Sequence, residues 1–298
     1  MCGIVGLMVK KPALRARLGE MMVPMLVAMT DRGPESAGMA VFTAPVAGER
    51  RKLSLYAGGA TVDWAALERA LRAGPDAAAA VSVKANHAIL ETGAPPARIK
   101  AWLHAHHPEL HVLSTGRLID LYKDIGTPAA IAERYGFETF TGTHLVGHTR
   151  MATESAVTPA HAHPFTAGED FCLVHNGSLS NPYSIRRTLE PLGIAFETDN
   201  DTEAACRFLE WRMREGDGLR TALEKGLTEL DGFFTFLMGT GDELALVRDA
   251  FSCKPAVVAE TDDYVAIASE YRSLAHLPDA RNAHLFEPKP EEIYVWKA

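Results

Sequence analysis

Residues 1–9 read MCGIVGLMV. A cysteine stands directly behind the initiator methionine, and the apolar run 4–9 has the length and texture of a short buried strand. Initiator methionine is normally removed when the next residue is small, which would leave Cys2 as the first residue. Its thiol (reference pKa ~8.5) and its α-amine (~7.7–8.0) would then share one residue. The amine could act, directly or through a water, as general base for the thiol beside it. Some residue must follow every initiator methionine, so the triplet by itself decides nothing. Its meaning depends on what the rest of the chain supplies.

Beyond this strand, segment 13–29 is apolar at helical spacing with an interruption at Pro24, and DRGPESAG (31–38) is a loop of turn formers leading into a strand at 39–42. Residues 63–73 predict an amphipathic helix with Trp64, Leu67 and Leu71 on one face. Residues 79–115 predict a strand, the helix PARIKAWLHAHH and a second strand, and 118–135 predicts a helix interrupted at Pro128. HLVGHTR (144–150) predicts a strand running into a polar loop, and FCLVHNG (171–177) a strand ending in Asn-Gly. Helices are expected at 201–214, opened by an Asp-Thr-Glu cap, and at 219–230, where Leu219, Leu223, Leu227 and Leu230 line one face. Strand-like runs at 233–239, 244–248, 256–260 and 264–269, separated by Gly and Asp turns, predict an antiparallel meander. Gly-polar loops at strand ends concentrate in 2–42 and 144–270. The stretch 50–140 lacks them and is expected to be a lobe inserted in, or appended to, one main domain over 2–298.

The 298 residues are 47% hydrophobic and 23% charged, which is globular composition rather than disorder or coiled coil. Thirty Lys and Arg against thirty-eight Asp and Glu give a net charge of −8 with no basic run, which argues against nucleic acid and anionic membrane as partners. No apolar run approaches the ~18 residues of a membrane span, and the lysines follow the apolar start instead of preceding it as in a signal peptide, so a cytoplasmic protein is expected. The cysteines at 2, 172, 206 and 253 show no CxxC spacing, so no zinc knuckle or disulfide framework is expected. Cys172, Cys206 and Cys253 read as small buried hydrophobes. His104, His106 and His107 cluster, and His161 and His163 form a second pair, but no third-ligand spacing emerges and no metal is expected. Without a GxGxxG or Walker sequence, no nucleotide site is expected either.

Three further elements could carry chemistry. Asn176-Gly177 is either a hairpin turn or an oxyanion hole built from the Asn176 amide and the Gly177 N–H. Arg150, at a strand end among small polar residues, is either solvated or a bidentate clamp for a substrate carboxylate. Asp201 stands at a helix start, where capping is the default role and pairing with a substrate ammonium the alternative. Asp199 competes with it for the second role. Together, a thiolate, oxyanion donors and two opposite charges could hold an amino acid by both ends and attack its far carbonyl.

The order MCGIVG, RGPESAG, GHTRMAT, HPF, HNGSLSN, TDNDTE resembles the class II glutamine amidotransferases, which are N-terminal-nucleophile hydrolases. The resemblance covers roughly 2–42 and 144–270, and the blocks in one order are far more specific than any single motif. It implies an α+β fold, a four-layer αββα sandwich of two mostly antiparallel sheets covered by helices, with an α/β insertion. It implies that Cys2 attacks the side-chain amide of glutamine, that its α-amine shuttles the proton, and that Asn176 and Gly177 stabilise the oxyanion. It further implies that Arg150 and Thr153 hold the α-carboxylate and Asp201 the α-ammonium, and that water releases glutamate from the thioester. Arg32 and Gly33 match the family loop beside the nucleophile, and the resemblance implies that they too help to bind the substrate. Two positions depart from the sugar-phosphate members: Met151-Ala152-Thr153-Glu154 replaces Trp-Ala-Thr-His, and Pro34-Glu35 replaces the tyrosine-aspartate of RGYDSAG. The chemistry is untouched, but those acceptors are not implied.

Only 28 residues follow Glu270, too few for a synthase domain of the usual ~50 or more, so the ammonia acceptor is expected on a partner. The insertion, with GHTRMATESAVTPAHAHPF, HNGSLSN, WRMREG and DGFFTF, resembles the separate amidotransferase subunit of glutamate-synthase-like complexes, N-methylglutamate synthase among them. That resemblance implies L-glutamine as substrate, and as partners an FMN- and iron–sulfur-containing synthase subunit and a small Gly-rich β-helical subunit. It implies no cofactor in this chain. Two other classes stay open: a different N-terminal-nucleophile amidase, and a non-catalytic structural subunit of such a complex.

Overall fold

The first strand, β1 (Gly3–Val9), is buried along its whole length. Its side chains alternate between two cores, with Val5, Leu7 and Val9 in one and Ile4 and Met8 in another, as the two-residue period of a strand dictates. A strand buried on both faces needs a covering layer on each side. The computed structural model, which describes residues 2–151 and 158–298, supplies both.

In chain order β1 is followed by α1 (Leu18–Val27), β2 (Ser36–Phe42), β3 (Arg51–Tyr56), α2 (Trp64–Ala73), β4 (Ala80–Lys84), β5 (His87–Thr92), α3 (Pro96–His106) and β6 (His111–Gly116). Then come β7 (Ile119–Ile125), α4 (Pro128–Tyr135), β8 (His144–Arg150), β9 (Phe165–Thr166), β10 (Cys172–Leu179), α5 (Pro182–Leu189), α6 (Asp201–Arg214) and α7 (Leu219–Glu229). The chain continues through β11 (Gly232–Gly239), β12 (Glu243–Arg248), β13 (Val257–Glu260), β14 (Tyr264–Ala268), α8 (Tyr271–Leu274), β15 (His284–Phe286) and β16 (Tyr294–Lys297). Among the described residues the strands form a seven-stranded sheet ordered β15-β13-β14-β1-β8-β2-β7, a five-stranded sheet ordered β16-β12-β11-β10-β9, and a four-stranded sheet ordered β4-β5-β3-β6. The pairings are antiparallel.

Apolar alternation sets the packing order. One face of the seven-stranded sheet packs on α1, α4 and α8 through Val5, Leu7, Met39, Leu145 and Ala266. Its other face, with Ile4, Phe42, Val146 and Ile267, meets Val174, Leu237, Leu244 and Leu246 of the five-stranded sheet. The outer face of that second sheet, with Leu173, Phe234, Phe236 and Val247, carries α5, α6 and α7. Each such aliphatic or aromatic side chain contributes roughly 1.5–3 kcal/mol on burial, so the alternation fixes which strand face turns inward.

The four-stranded sheet has its own core, in which Leu53, Leu55 and Leu90 meet Leu67 and Leu71 of α2 and Ile99 and Leu103 of α3. This lobe spans 51–116, shorter than the expected 50–140. Residues 118–135 are not one interrupted helix: β7 pairs along β2 as an edge of the seven-stranded sheet, and Pro128 opens α4 instead of breaking it. A proline without a free N–H is at home in the first helical turn, and the Thr127 hydroxyl caps it by accepting from Ala130 N at 3.4 Å. Pro24 lies inside α1, which continues past it. The expected single meander is two hairpins on different layers, with β11 and β12 in the five-stranded sheet and β13 and β14 in the seven-stranded one.

Buried polar contacts lock the lobe to the main body. Asp124 of β7 accepts from the Tyr135 hydroxyl at 2.6 Å, Arg134 Nη1 at 2.9 Å, Asn86 Nδ2 at 3.1 Å and the Tyr56 hydroxyl at 3.3 Å. Burial alone would push its pKa up, but these donors hold it below the ordinary carboxylate value. Lys52 of the lobe pairs with Asp120 at 2.7 Å in a largely dry setting.

Candidate active site

The nucleophile candidate is positioned by sheet register. β1 pairs with β8 so that Gly3 lies opposite Thr149. Continued by one residue, that register brings Cys2 beside the end of β8 at Arg150. The Cys2 thiol, half-buried, donates to the Met151 carbonyl at 3.8 Å. Two side chains grip the carbonyl of Cys2: Arg32 Nε donates at 2.9 Å and Asn176 Nδ2 at 3.1 Å.

Arg32 is only 7% exposed, and its Nη1 pairs with Glu270 Oε1 at 2.9 Å. Its Nη2 is buried and finds no hydrogen-bond partner among the described residues. Glu270 is itself paired with Arg272 at 2.7 Å. The loop carrying Arg32 presses directly on the end of β8: a Cβ on Gly33 would lie 2.4 Å from the Thr149 carbonyl carbon and 2.5 Å from Arg150 N. Only glycine lets two backbones approach that closely.

The Asn-Gly pair is not a hairpin turn. β10 runs straight through it, with Asn176 opposite Thr235 and Gly177 opposite Phe234 on β11. Gly177 has φ +148°, and a Cβ there would stand 2.0 Å from the Phe233 carbonyl oxygen. Its place in the sequence reflects backbone geometry beside Asn176, which is 3% exposed and turned to Cys2.

Asp201 begins α6, but the cap is Asn200, whose side chain accepts from Thr202 N at 2.8 Å. This frees the Asp201 carboxylate from the default capping role. It accepts from Leu179 N at 2.9 Å and stands 3.7 Å from His175 Nδ1. Burial raises its pKa, and the His175 contact with the backbone N–H groups of Leu179 and Thr202 outweighs this, bringing it down to about 2. Asp201 is thus an ionised carboxylate at neutral pH. The competing Asp199 is exposed and bonded to His161 at 2.8 Å. Arg150 is 5% exposed at the last position of β8, opposite Ser36. Thr153 lies outside the described residues.

The tertiary structure thus groups Cys2, Arg32, Gly33, Asn176 and Gly177 where β1, β8 and β10 meet. Arg150 closes β8 on one side, and Asp201 is bonded to β10 on the other. It also adds residues that sequence reading had set aside. His163 Nε2 and His175 Nδ1 lie 2.8 and 3.0 Å from the Thr202 hydroxyl, and His148 Nε2 lies 3.2 Å from the His175 carbonyl. Burial pushes His148 down to about 3 and His163 well below its ordinary value, so both rings are neutral. Their placement inside the recurring blocks GHTR, HPF and HNG was the available signal. Glu270, far from any block, gave none. Among the described residues no cluster of three His, Cys, Asp or Glu side chains could hold a metal ion. Cys172 and Cys206 are buried as expected, but Cys253 is exposed.

Residues 148–276 match the glutamine amidotransferase domain family. The chain is 47% identical to the glutamine amidotransferase-like protein GlxB of Rhizobium meliloti over 99% of its own length and 98% of that protein's. It belongs to this family. It is also 38% identical to the glutamine–fructose-6-phosphate aminotransferase of Aliivibrio fischeri, over half of this chain and 28% of that one. Its fold is similar to that of the glutamine phosphoribosylpyrophosphate amidotransferase of B. subtilis, with a TM-score of 0.61 at 19% identity, covering 99% of this chain and 47% of that one. These relationships place it in the class II, N-terminal-nucleophile group. Among the described residues no helix is long and apolar enough to cross a membrane.

Proposed function

We propose that this chain hydrolyses L-glutamine to glutamate and ammonia through a thioester on Cys2, once Met1 is removed. The observation that carries this reading is the double grip of Arg32 and Asn176 on the Cys2 carbonyl, with an ionised Asp201 bonded three residues further along the same strand as Asn176. In this reading the α-amine takes the thiol proton, and the thiolate attacks the side-chain carbonyl carbon. The Asn176 amide and the Gly177 N–H receive the oxyanion. The C–N bond then breaks, and the departing amine takes the proton from the α-ammonium. Water cleaves the thioester by the same route. Arg150 and Thr153 hold the substrate carboxylate, and Asp201 its ammonium. Arg32 and Gly33 position the nucleophile.

In this proposal the ammonia goes to a partner synthase subunit of the glutamate-synthase-like type, N-methylglutamate synthase being the particular case. FMN and an iron–sulfur cluster belong to that partner, a Gly-rich β-helical subunit completes the complex, and this chain holds no cofactor. The inserted lobe belongs to one amidotransferase domain over 2–298. A free-thiol nucleophile suits the reducing cytoplasm, where we place it.

The test is the intact mass of the purified chain before and after exposure to diazo-oxo-norleucine, a glutamine-mimicking electrophile, together with glutamine turnover by Cys2→Ala. Loss of Met1, one adduct mapped to Cys2 and no turnover in the variant are expected. Retained Met1 with no adduct would make this a structural subunit. A Cys2→Ala variant that still releases glutamate would overturn the mechanism.

A further inference from the structure

A cavity of about 430 Å³ lies away from Cys2, between the lobe and the main body. Tyr56 and Lys100 line it from the lobe, Lys123 and Phe165 from the body, and Glu203 and Arg207 from α6. Its size falls in the usual range of small-molecule pockets, roughly 300–1,000 Å³.

The charges in it are unevenly spent. Glu203, 2% exposed, uses its carboxylate on Glu197 N at 2.9 Å, Thr198 N at 2.8 Å and the Thr198 hydroxyl at 2.7 Å. Glu197, largely exposed, pairs with Arg207 Nη2 at 3.6 Å. Lys123 is 5% exposed, and its ammonium donates to backbone carbonyls, closest to Ala162 at 2.8 Å, and lies over the Phe165 ring at 4.7 Å. Among the described residues neither Lys123 nor Lys100 has an ion-pair partner within 4.0 Å. Arg207 Nη2 pairs with Glu203 Oε1 at 3.4 Å, while its Nε is buried without a hydrogen-bond partner among those residues. A buried cation without a counter-ion is costly, and burial accordingly brings Lys123 down to about 8. The cavity thus has two lysines without a carboxylate partner, an arginine already paired with both carboxylates, and aromatic walls.

We propose that this lobe–body cavity binds a small amphipathic monoanion, an aryl carboxylate, with its charge at Lys100 and Lys123 and its ring against Tyr56 and Phe165. The site shares α6 with the glutamine site: Glu203, which lines the cavity, lies two residues after Asp201. Occupancy therefore reaches the glutamine site through that helix. This consequence rests on the glutaminase reading, whereas binding itself does not.

The test is titration calorimetry of the full chain with phenylacetate and with phenylacetamide, which has the same shape but no charge. Saturable binding of phenylacetate with Kd below about 10 mM, and binding of the amide at least about tenfold weaker, are expected. Lys123→Met should weaken phenylacetate binding at least about tenfold. Lys100→Glu should do the same, and its exposed position on α3 leaves folding unaffected. Cys2→Ala should bind as the unaltered chain does, so that failure of the glutaminase reading and failure of this one are told apart. No saturable binding, equal affinity for the amide, an unaffected Lys100→Glu or loss in Cys2→Ala would each overturn the proposal.

Discussion

Asn176→Ala separates a catalytic hydrogen bond from a structural one. In the folded chain the Asn176 amide donates to the Cys2 carbonyl at 3.1 Å, and the same carbonyl keeps its bond from Arg32 Nε at 2.9 Å. The ground state therefore loses one of two donors, worth about 1 kcal/mol net. For a chain of this size that lowers Tm by only about 2–4 °C. In the transition state the same amide would face the oxyanion. Removing one such donor costs about 2.7–4 kcal/mol, or roughly 10²–10³ in kcat. KM should change little, because in the proposed mechanism Arg150 and Asp201, not Asn176, hold the substrate's charged ends. The assay is steady-state glutamate release, coupled to glutamate dehydrogenase, alongside a thermal melt of the same preparation. A kcat loss below about tenfold would refute the oxyanion role. So would a loss carried by KM, and a Tm drop above about 10 °C would make Asn176 a structural residue.

Gly33→Ala forces a methyl group to within 2.6 Å of the Thr149–Arg150 backbone; glutamine turnover should fall at least about a hundredfold, and Gly33→Ala with normal kcat/KM would show that the Arg32 loop does not position Cys2. Asp201 has a folded pKa near 2, below its unfolded value of about 3.9, so its contribution, of order 2 kcal/mol, is present above about pH 4 and is lost as the pH falls toward 2. Asp201→Asn should flatten the acid arm of a urea-melt stability profile over that window and raise KM for glutamine, and an unchanged acid arm would refute the assignment. Glu203→Ala leaves the Glu197 and Thr198 N–H groups without their acceptor and should destabilise the chain by about 2–4 kcal/mol, read as a lower urea midpoint.

Much of the fold was legible locally. The amphipathic helices at 64–73 and 219–229 and the strands β1, β8 and β10 follow from side-chain period, which is a property of neighbouring residues. Residues 118–135 were not legible, because Ile119 and Leu121 suit a strand edge or a helix face equally well, and only the pairing with β2 decides between them. The hairpins β11–β12 and β13–β14 look alike in sequence. Their assignment to different sheets depends on which inner face each completes.

The site divides along the same line. Residue type nominated Cys2, Arg150, Asn176, Gly177 and Asp201, because a thiol, an amide, a guanidinium and a carboxylate are chemically recognisable wherever they stand, and the family resemblance added Thr153, Arg32 and Gly33. Whether Asn-Gly turned a hairpin or stayed in a strand, and whether Asp201 or its neighbour Asn200 capped α6, rested on hydrogen bonds between segments far apart in the chain. Glu270 behind Arg32, the histidines behind Asp201 and the lobe–body cavity exist only as tertiary contacts. Chemical capacity is carried by each residue, but burial, partner and pKa belong to the space around it, and that space is made only when the layers close.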